Sequence, residues 1–254
     1  MDILNIIILS LIQGITEFLP ISSSAHLVLL SELSDFSDQG LGFDIALHTG
    51  SLLAILMYFK NEIKNIFSYT DEGRQYLKLM IIASIPLPIF GLILIDYVSL
   101  YMRNIQSIAI MTILFGLLLY FADSNRKENK KIIDAPLTVI LFIGLLQTLA
   151  IMPGVSRAGI VITAALLIGF TRNDSIKISF LLSIPAIFMA STYQAIQLLG
   201  KSEYILIESY VLGVFLSFVF SYLTIKLFIS TISKITFAPY IIYRIVLGSV
   251  LLII

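Results

Sequence analysis

The 254-residue chain contains no cysteine. Disulfides, thiol nucleophiles and cysteine-ligated metals are excluded, and the redox compartment is left undetermined. Charge is scarce too. Asp, Glu, Lys and Arg make up 13% of the residues, about half of the ~25% carried by an ordinary soluble domain. Basic and acidic residues balance at 16 each, so no bulk basic field argues for a nucleic-acid partner. The stretch MDILNIIILSLIQG has no positive n-region and no small-residue cleavage site, so a removable signal peptide is not expected. What fills the place of charge is apolar: 58% of residues are hydrophobic and mean hydropathy is +1.00. The expected fold class is an all-α polytopic membrane protein.

Six apolar stretches, 44–59, 79–98, 105–122, 178–199, 205–231 and 238–254, are long enough, or nearly so, to span as helices. Three shorter ones fall in two polar-centred units, 3–30 around FLPISSSAH and 137–170 around IMPGVSRAG. Each unit reads as half-helix, break, half-helix, with Pro20 and Pro153–Gly154 supplying the breaks. Ser22 or Ser23, and Ser156, are placed to cap the second half-helix. A shift of 133 brings Pro20 onto Pro153, Ser23 onto Ser156 and 105–121 onto 238–254, while Gln13 and Gln147 miss by one position. The expectation is one integral membrane domain, 1–254: a repeat of about 1–121, a linker 122–133, and a second repeat of about 134–254.

The linker holds Arg126, Lys127, Lys130 and Lys131, the strongest positive-inside signal in the chain, and is expected in the cytoplasm. The segment with Lys60, Lys64, Arg74 and Lys78 lies two spans earlier and so on the same side. If 137–170 is re-entrant from the cytoplasm, 3–30 enters from outside, and the two halves are inverted. Two broken pairs then meet at mid-depth, where irregular backbone is tolerated only inside protein or around a wet cavity. A site is expected there.

The candidate residues come from both units. Gln13 and Glu17, spaced i,i+4, share a helix face and could converge on one ligand, a water or a divalent cation, or make a polar helix contact. A carboxylate at that depth is a functional hypothesis by default. Ser23 and His26, spaced i,i+3, offer a hydroxyl and an imidazole near that carboxylate, suited to nucleophilic or acid–base work; the competing reading is caps and a satisfied core histidine. Arg157, preceded by Ser156 at a helix start, combines a guanidinium with free N–H groups, which favours a buried phosphate. Its competing reading is a structural Arg157–Glu17 ion pair. Asp44 and His48 head a span, where the histidine lines a cavity or packs. Arg103, Lys226 and Arg244 lie near span ends and are expected to snorkel. Carboxylate, hydroxyl and imidazole facing an arginine suit cleavage of a phosphate ester or anhydride, which a divalent cation would assist.

These residues resemble a known family. QGITEFLPISSSAH is similar to the glutamate/glutamine-rich motif of undecaprenyl-diphosphate phosphatases of the bacitracin-resistance type, and PGVSRAG to their arginine motif. LLIGFTRNDSIKISFLLSIPA is similar as well, and the resemblance covers essentially the whole chain. It implies an enzyme, a phosphoric anhydride hydrolase that removes the terminal phosphate of a polyprenyl diphosphate and regenerates the monophosphate carrier of cell-wall glycans. It implies bacitracin resistance, an inverted-repeat fold with two re-entrant pairs and about six full spans, and a multi-pass place in the cytoplasmic membrane. The site is expected to open to the outer face. It implies a divalent cation, Mg2+ or Ca2+, with Glu17 as its candidate ligand. Partners are the lipid substrate and membrane lipids, and a homodimer is compatible.

By the same resemblance Ser23, His26 and Glu17 are catalytic, and Arg157, Ser156 and Gln13 bind phosphate. Gln13 stands where some members have glutamate. Ala158 and Val161 replace the usual Ser and Thr, so no phosphate contact is assigned there. Ser23 is the preferred nucleophile; His26 as nucleophile or a water activated by Glu17 are the alternatives. The competing functions are a polyprenyl-phosphate flippase or transporter of the same architecture, and a scaffold built on a Glu–Arg pair.

Overall fold

The computed structural model describes residues 3–33, 41–68, 70–128, 130–199, 207–232 and 235–253. Among them every regular element is helical: α1 (Ile3–Thr16), α2 (Ser23–Leu33), α3 (Leu41–Tyr58), α4 (Lys60–Ile66), α5 (Asp71–Ile82), α6 (Pro86–Tyr101), α7 (Ile105–Ser124), α8 (Leu137–Gln147), α9 (Arg157–Ile168), α10 (Arg172–Leu198), α11 (Ile207–Ile232) and α12 (Ala238–Ile253). Short 3₁₀ turns cover Ile132–Asp134 and Thr148–Ile151. The all-α membrane class read from composition is what the chain adopts.

Four segments are long and apolar enough to cross a bilayer: Asp71–Tyr101, Ile105–Ser124, Arg172–Leu198 and Ile207–Ile232. A fifth is admitted if Gly42–Tyr58 and Lys60–Ile66, bent by 72° at their junction, form one span. The expected sixth is α12, with 16 residues. At 1.5 Å per residue it reaches about 24 Å, short of a ~30 Å hydrocarbon core. The span expected at 79–98 begins earlier, at Asp71, and is interrupted between α5 and α6. Pro86 opens α6 at a position that needs no intrahelical N–H bond. Leu92, Ile93, Leu100, Phe188, Val211 and Leu227 point outward and are largely exposed, as lipid-facing side chains must be.

Small and hydroxylated residues let the helices of the centre approach. Along the α3–α11 seam, Ser217 donates to the Leu47 carbonyl (2.6 Å), Ser51 lies 3.2 Å from Ser217, and Ser221 donates to Ser51 (3.0 Å). A Cβ on Gly50 would run into the Val214 carbonyl, so the seam requires glycine there. α3 also packs on α10, α1 on α11, α9 on α7 and α10, and α12 on α7. An aromatic cluster anchors the middle. Phe180 of α10 meets Phe18 edge-on at 5.5 Å, Phe59 at 5.8 Å and Phe228 at 6.0 Å, tying the segment after α1 to the long helices.

The basic segments gather at one end. Gln75 of α5 donates to the Ala135 carbonyl (2.5 Å), Lys130 N–H to the Gly169 carbonyl (3.1 Å), and Arg172 forms a two-bond pair with Asp123 (2.7 and 2.9 Å). The segment 60–78 and the linker therefore share an end, as the charge pattern requires.

Candidate active site

The first break begins where Pro20 cannot continue α1. Residues 17–21 form turns, Ser22 takes a left-handed φ of 74°, and α2 starts at Ser23. The second follows the same plan. A 3₁₀ turn ends at Ile151, Gly154 has φ 92°, Ser156 has φ 70°, and α9 starts at Arg157. Ser156 caps α9, its hydroxyl accepting from the Gly159 N–H at 3.1 Å. Non-glycine residues rarely adopt these φ values; here each turns the chain so that the first residue of the next helix faces the opposite break.

Those first residues and Glu17 form the centre. The Glu17 carboxylate is nearly enclosed, with 8% of its side chain exposed, and Arg157 with 12%. Arg157 Nη2 donates to Glu17 Oε1 at 2.8 Å, and Nη1 to the Ser179 carbonyl at 3.3 Å. Ser23 Oγ donates to Glu17 Oε2 at 2.7 Å, a short charge-assisted bond. Gln13 Nε2 donates to the same oxygen at 3.1 Å. Gln13 is fully buried and its Oε1 has no protein partner. The Arg157–Glu17 ion pair weighed from sequence is thus present, but with a hydroxyl on its second oxygen.

His26 stands apart from this centre. Its Nδ1 lies 2.7 Å from the Ser22 carbonyl and its Nε2 2.6 Å from the Tyr243 hydroxyl, with the two rings stacked at 5.7 Å and 7°. A carbonyl accepts only, so Nδ1 carries the proton and Nε2 accepts from Tyr243. Both ring nitrogens are engaged, and neither reaches Ser23 or Glu17. Of the six candidates, Gln13, Glu17, Ser23 and Arg157 meet directly, Ser156 caps the arginine's helix, and His26 is held between the Ser22 carbonyl and Tyr243.

Three further residues belong to the site or its walls. His48 of α3 fixes Nδ1 on the Asp44 carbonyl (2.8 Å) and presents Nε2 to Glu17 Oε2 at 3.9 Å; glycine-flanked at a span head, it had a cavity-lining reading in the sequence. Tyr243 carried no signal in the sequence. Arg244 corrects an expectation. It does not snorkel but is fully buried, its guanidinium held inside the protein by main-chain carbonyls of Thr112, Pro20, Gly154 and Val155. Its default as an intramembrane cation was the signal to follow. Arg103 and Lys226 are exposed as expected.

The donor set bears on a divalent cation. Glu17, the unpartnered Gln13 Oε1 and His48 Nε2 lie together, yet among the described residues no three His, Asp or Glu side chains cluster as a metal site. A hard divalent cation at Glu17 would have to draw its other ligands from substrate phosphate oxygens rather than from a protein cage. Elsewhere an apolar groove runs between α3 and α11, lined by Ile45, Leu53, Met57, Val211, Val214 and Phe215.

The chain has close relatives. The family model described as bacitracin resistance protein BacA matches residues 6–250. The undecaprenyl-diphosphatase of Saccharophagus degradans is 44% identical over 257 residues, spanning 98% of this chain and 97% of that protein. That of Teredinibacter turnerae is 43% identical over 262 residues, spanning 100% and 99%. That of Campylobacter concisus is 43% identical over 261 residues, spanning 99% and 98%.

Proposed function

The chain belongs to the bacitracin resistance protein BacA family, and we propose that it is an undecaprenyl-diphosphatase, hydrolysing the terminal phosphate of a polyprenyl diphosphate to leave the monophosphate carrier. The observation that carries the reading is the single carboxylate of Glu17 shared between a hydroxyl and a guanidinium, Ser23 Oγ at 2.7 Å on one oxygen and Arg157 Nη2 at 2.8 Å on the other. Transport of a lipid needs no such hydroxyl, and the relatives are named as phosphatases, which favours catalysis over the flippase alternative.

The reaction follows from those contacts. The diphosphate draws Arg157 onto its terminal phosphate, where the guanidinium fork binds two oxygens and the N-terminus of α9 adds N–H groups. Arg157 leaving Glu17 Oε1 frees that oxygen as an acceptor. Ser23 Oγ attacks the terminal phosphorus in line; its proton passes through Glu17 to the bridging oxygen as that bond breaks, so polyprenyl phosphate departs protonated and Glu17 is left ionised. Water, deprotonated by Glu17, then attacks the phosphoserine, releasing inorganic phosphate and restoring the Ser23 hydroxyl. Gln13 and His48 flank the carboxylate, and His26 is held by Tyr243. A divalent cation bound by Glu17 and Gln13 Oε1 would offset the diphosphate's negative charge as it redistributes. The isoprenoid tail belongs in the apolar α3–α11 groove, on the helix that also carries His48. Positive-inside charge at the linker end supports a site opening to the outer face of the cell membrane.

The test is phosphate release by the purified protein from long- and short-chain polyprenyl diphosphates, with and without chelator. Release that chelation abolishes is expected. No release from any isoprenoid diphosphate overturns the reading.

A further inference from the structure

One buried cation has no part in this chemistry. Arg244 is fully enclosed, and no carboxylate among the described residues pairs with it. Four of its five N–H donors go to main-chain carbonyls instead. Nε donates to Thr112 of α7 at 3.1 Å, Nη1 to Pro20 at 3.1 Å, and Nη2 to Gly154 at 2.9 Å and Val155 at 3.0 Å. Pro20 lies three residues before Ser23, and Gly154 three before Arg157. The same rigid fork therefore grips both breaks at matching points.

The Pro20, Gly154 and Val155 carbonyls are ones a broken helix leaves without helical partners, and at this depth water does not supply them; the Thr112 bond ties the same fork to the middle of α7. A planar guanidinium serves several at fixed angles, which an ammonium on a flexible stem does not. Around Arg244 the packing leaves no slack. A Cβ on Gly159 would lie 2.9 Å from its Nη1, and one on Gly116 3.2 Å from its Cβ and 3.6 Å from its Nε. The preceding residue, Tyr243, holds His26 at the start of α2.

We infer that Arg244 is a positioning residue for the reaction, setting the separation of the two breaks so that Ser23 and Glu17 face Arg157. The inference rests on the site proposed above, and acts through main chain without touching substrate. Two other roles make different demands. A purely electrostatic role, a second positive charge beneath the phosphate, would survive Arg244→Lys and act on KM. A purely structural role would lower the folded fraction and leave the geometry of folded molecules alone.

The experiment uses the missing cysteines. Nitroxides on Leu19→Cys and Met152→Cys, half-buried positions on the two breaks of a chain with no other thiol, report the separation by double electron–electron resonance in lipid. They are placed in otherwise unaltered protein and in Arg244→Lys, Arg244→Gln and Gly116→Ala backgrounds; kinetics are measured on the unlabelled variants. A narrow distribution is expected with Arg244 present and a broad or displaced one in both Arg244 variants. kcat should fall on the order of 10²-fold in each, the cost of an ångström-scale misplacement, with KM little changed. Gly116→Ala, which presses on the side chain without removing it, should move both readouts the same way by less. Full kcat in Arg244→Lys overturns the proposal, as does an unchanged distribution alongside lost kcat. If both Arg244 variants fail to fold, an unchanged kcat in Gly116→Ala overturns it. A narrow distribution that broadens on losing Arg244, in a protein that releases no phosphate, would instead remove the site reading and leave the clamp.

Discussion

The two breaks use one backbone plan to present different chemistry. At a spacing of 134 their positive-φ serines and the helix starts that follow coincide. Gln13 matches Gln147, both fully buried with an unpartnered Oε1; Pro20 matches Gly154; Ser22 matches Ser156, at φ 74° and 70°; and the next helix begins at Ser23 or Arg157. The side chains then part. Four residues after the glutamine stands Glu17 in one and Ile151 in the other. Gln13 donates to that acid, whereas Gln147 donates to the Ala83 carbonyl at the α5–α6 interruption (3.3 Å). One break carries the acid and hydroxyl, the other the cation. Keeping them on separate elements lets a phosphate come between them, which an arginine and glutamate on one helix would not allow.

Ser23→Ala breaks the comparison at its most sensitive point. Phosphate release should fall by about 10³-fold or more, the usual cost of losing a nucleophile. Label from the terminal phosphate, trapped by acid quench, should sit on Ser23 in the parent and nowhere in the variant. Label on His26, or undiminished release, would remove Ser23 from the role. On the opposite break, Arg157→Lys keeps the charge and loses the fork, so kcat should fall by about 10²-fold. The exchange Glu17→Arg with Arg157→Glu should restore thermal stability relative to either single change while leaving activity lost. Activity retained in the exchanged protein would mean that the pair only holds the fold.

These contrasts were unequally visible in the sequence. Pro20 and Pro153–Gly154 announce breaks, and an acid, a hydroxyl and an arginine beside them announce a site, because each is costly at that depth. Their convergence needed topology as well, and the charge of the linker supplied it. Aligning the prolines gives a shift of 133, one less than the backbone shows, because the positive-φ serines Ser22 and Ser156 and the helix starts after them repeat at 134. Tyr243 was silent because its role depends on a ring 217 positions away. The role of Arg244 is hidden in the sequence because hydropathy registers a charge but not which carbonyls need one. The 72° bend after Tyr58 has no proline or glycine at it, and nothing in the local sequence explains it.

Gly154→Ala against Pro20→Ala separates the two turns by stability. Gly154 holds φ 92°, and a Cβ there would lie 2.6 Å from the Ile108 carbonyl oxygen. Strain and clash together should destabilise by about 2–3 kcal/mol, read as a lowered midpoint of thermal unfolding in detergent. Pro20 holds no positive φ, and its replacement by the smaller alanine should cost about 1 kcal/mol, through added freedom of the unfolded chain and lost packing of a buried ring. Equal losses at the two positions would show that the turns are held by something other than their own backbone.

The smallest effect resolves why a serine, rather than glycine, stands at the left-handed position of each break. At Ser156 two contributions oppose. Its hydroxyl caps α9 through the Gly159 N–H, and losing a cap to alanine costs about 1 kcal/mol. Its φ of 70° costs any L-residue roughly 1–2 kcal/mol that glycine does not incur. Ser156→Ala should therefore destabilise by about 1 kcal/mol, since it keeps the strain and loses the cap. Ser156→Gly loses the cap and relieves the strain, and should be neutral or slightly stabilising. If stability is unharmed but kcat drops in Ser156→Gly, the serine is retained because its rigidity aims Arg157. Parallel losses of stability in both variants would instead make the cap its whole contribution.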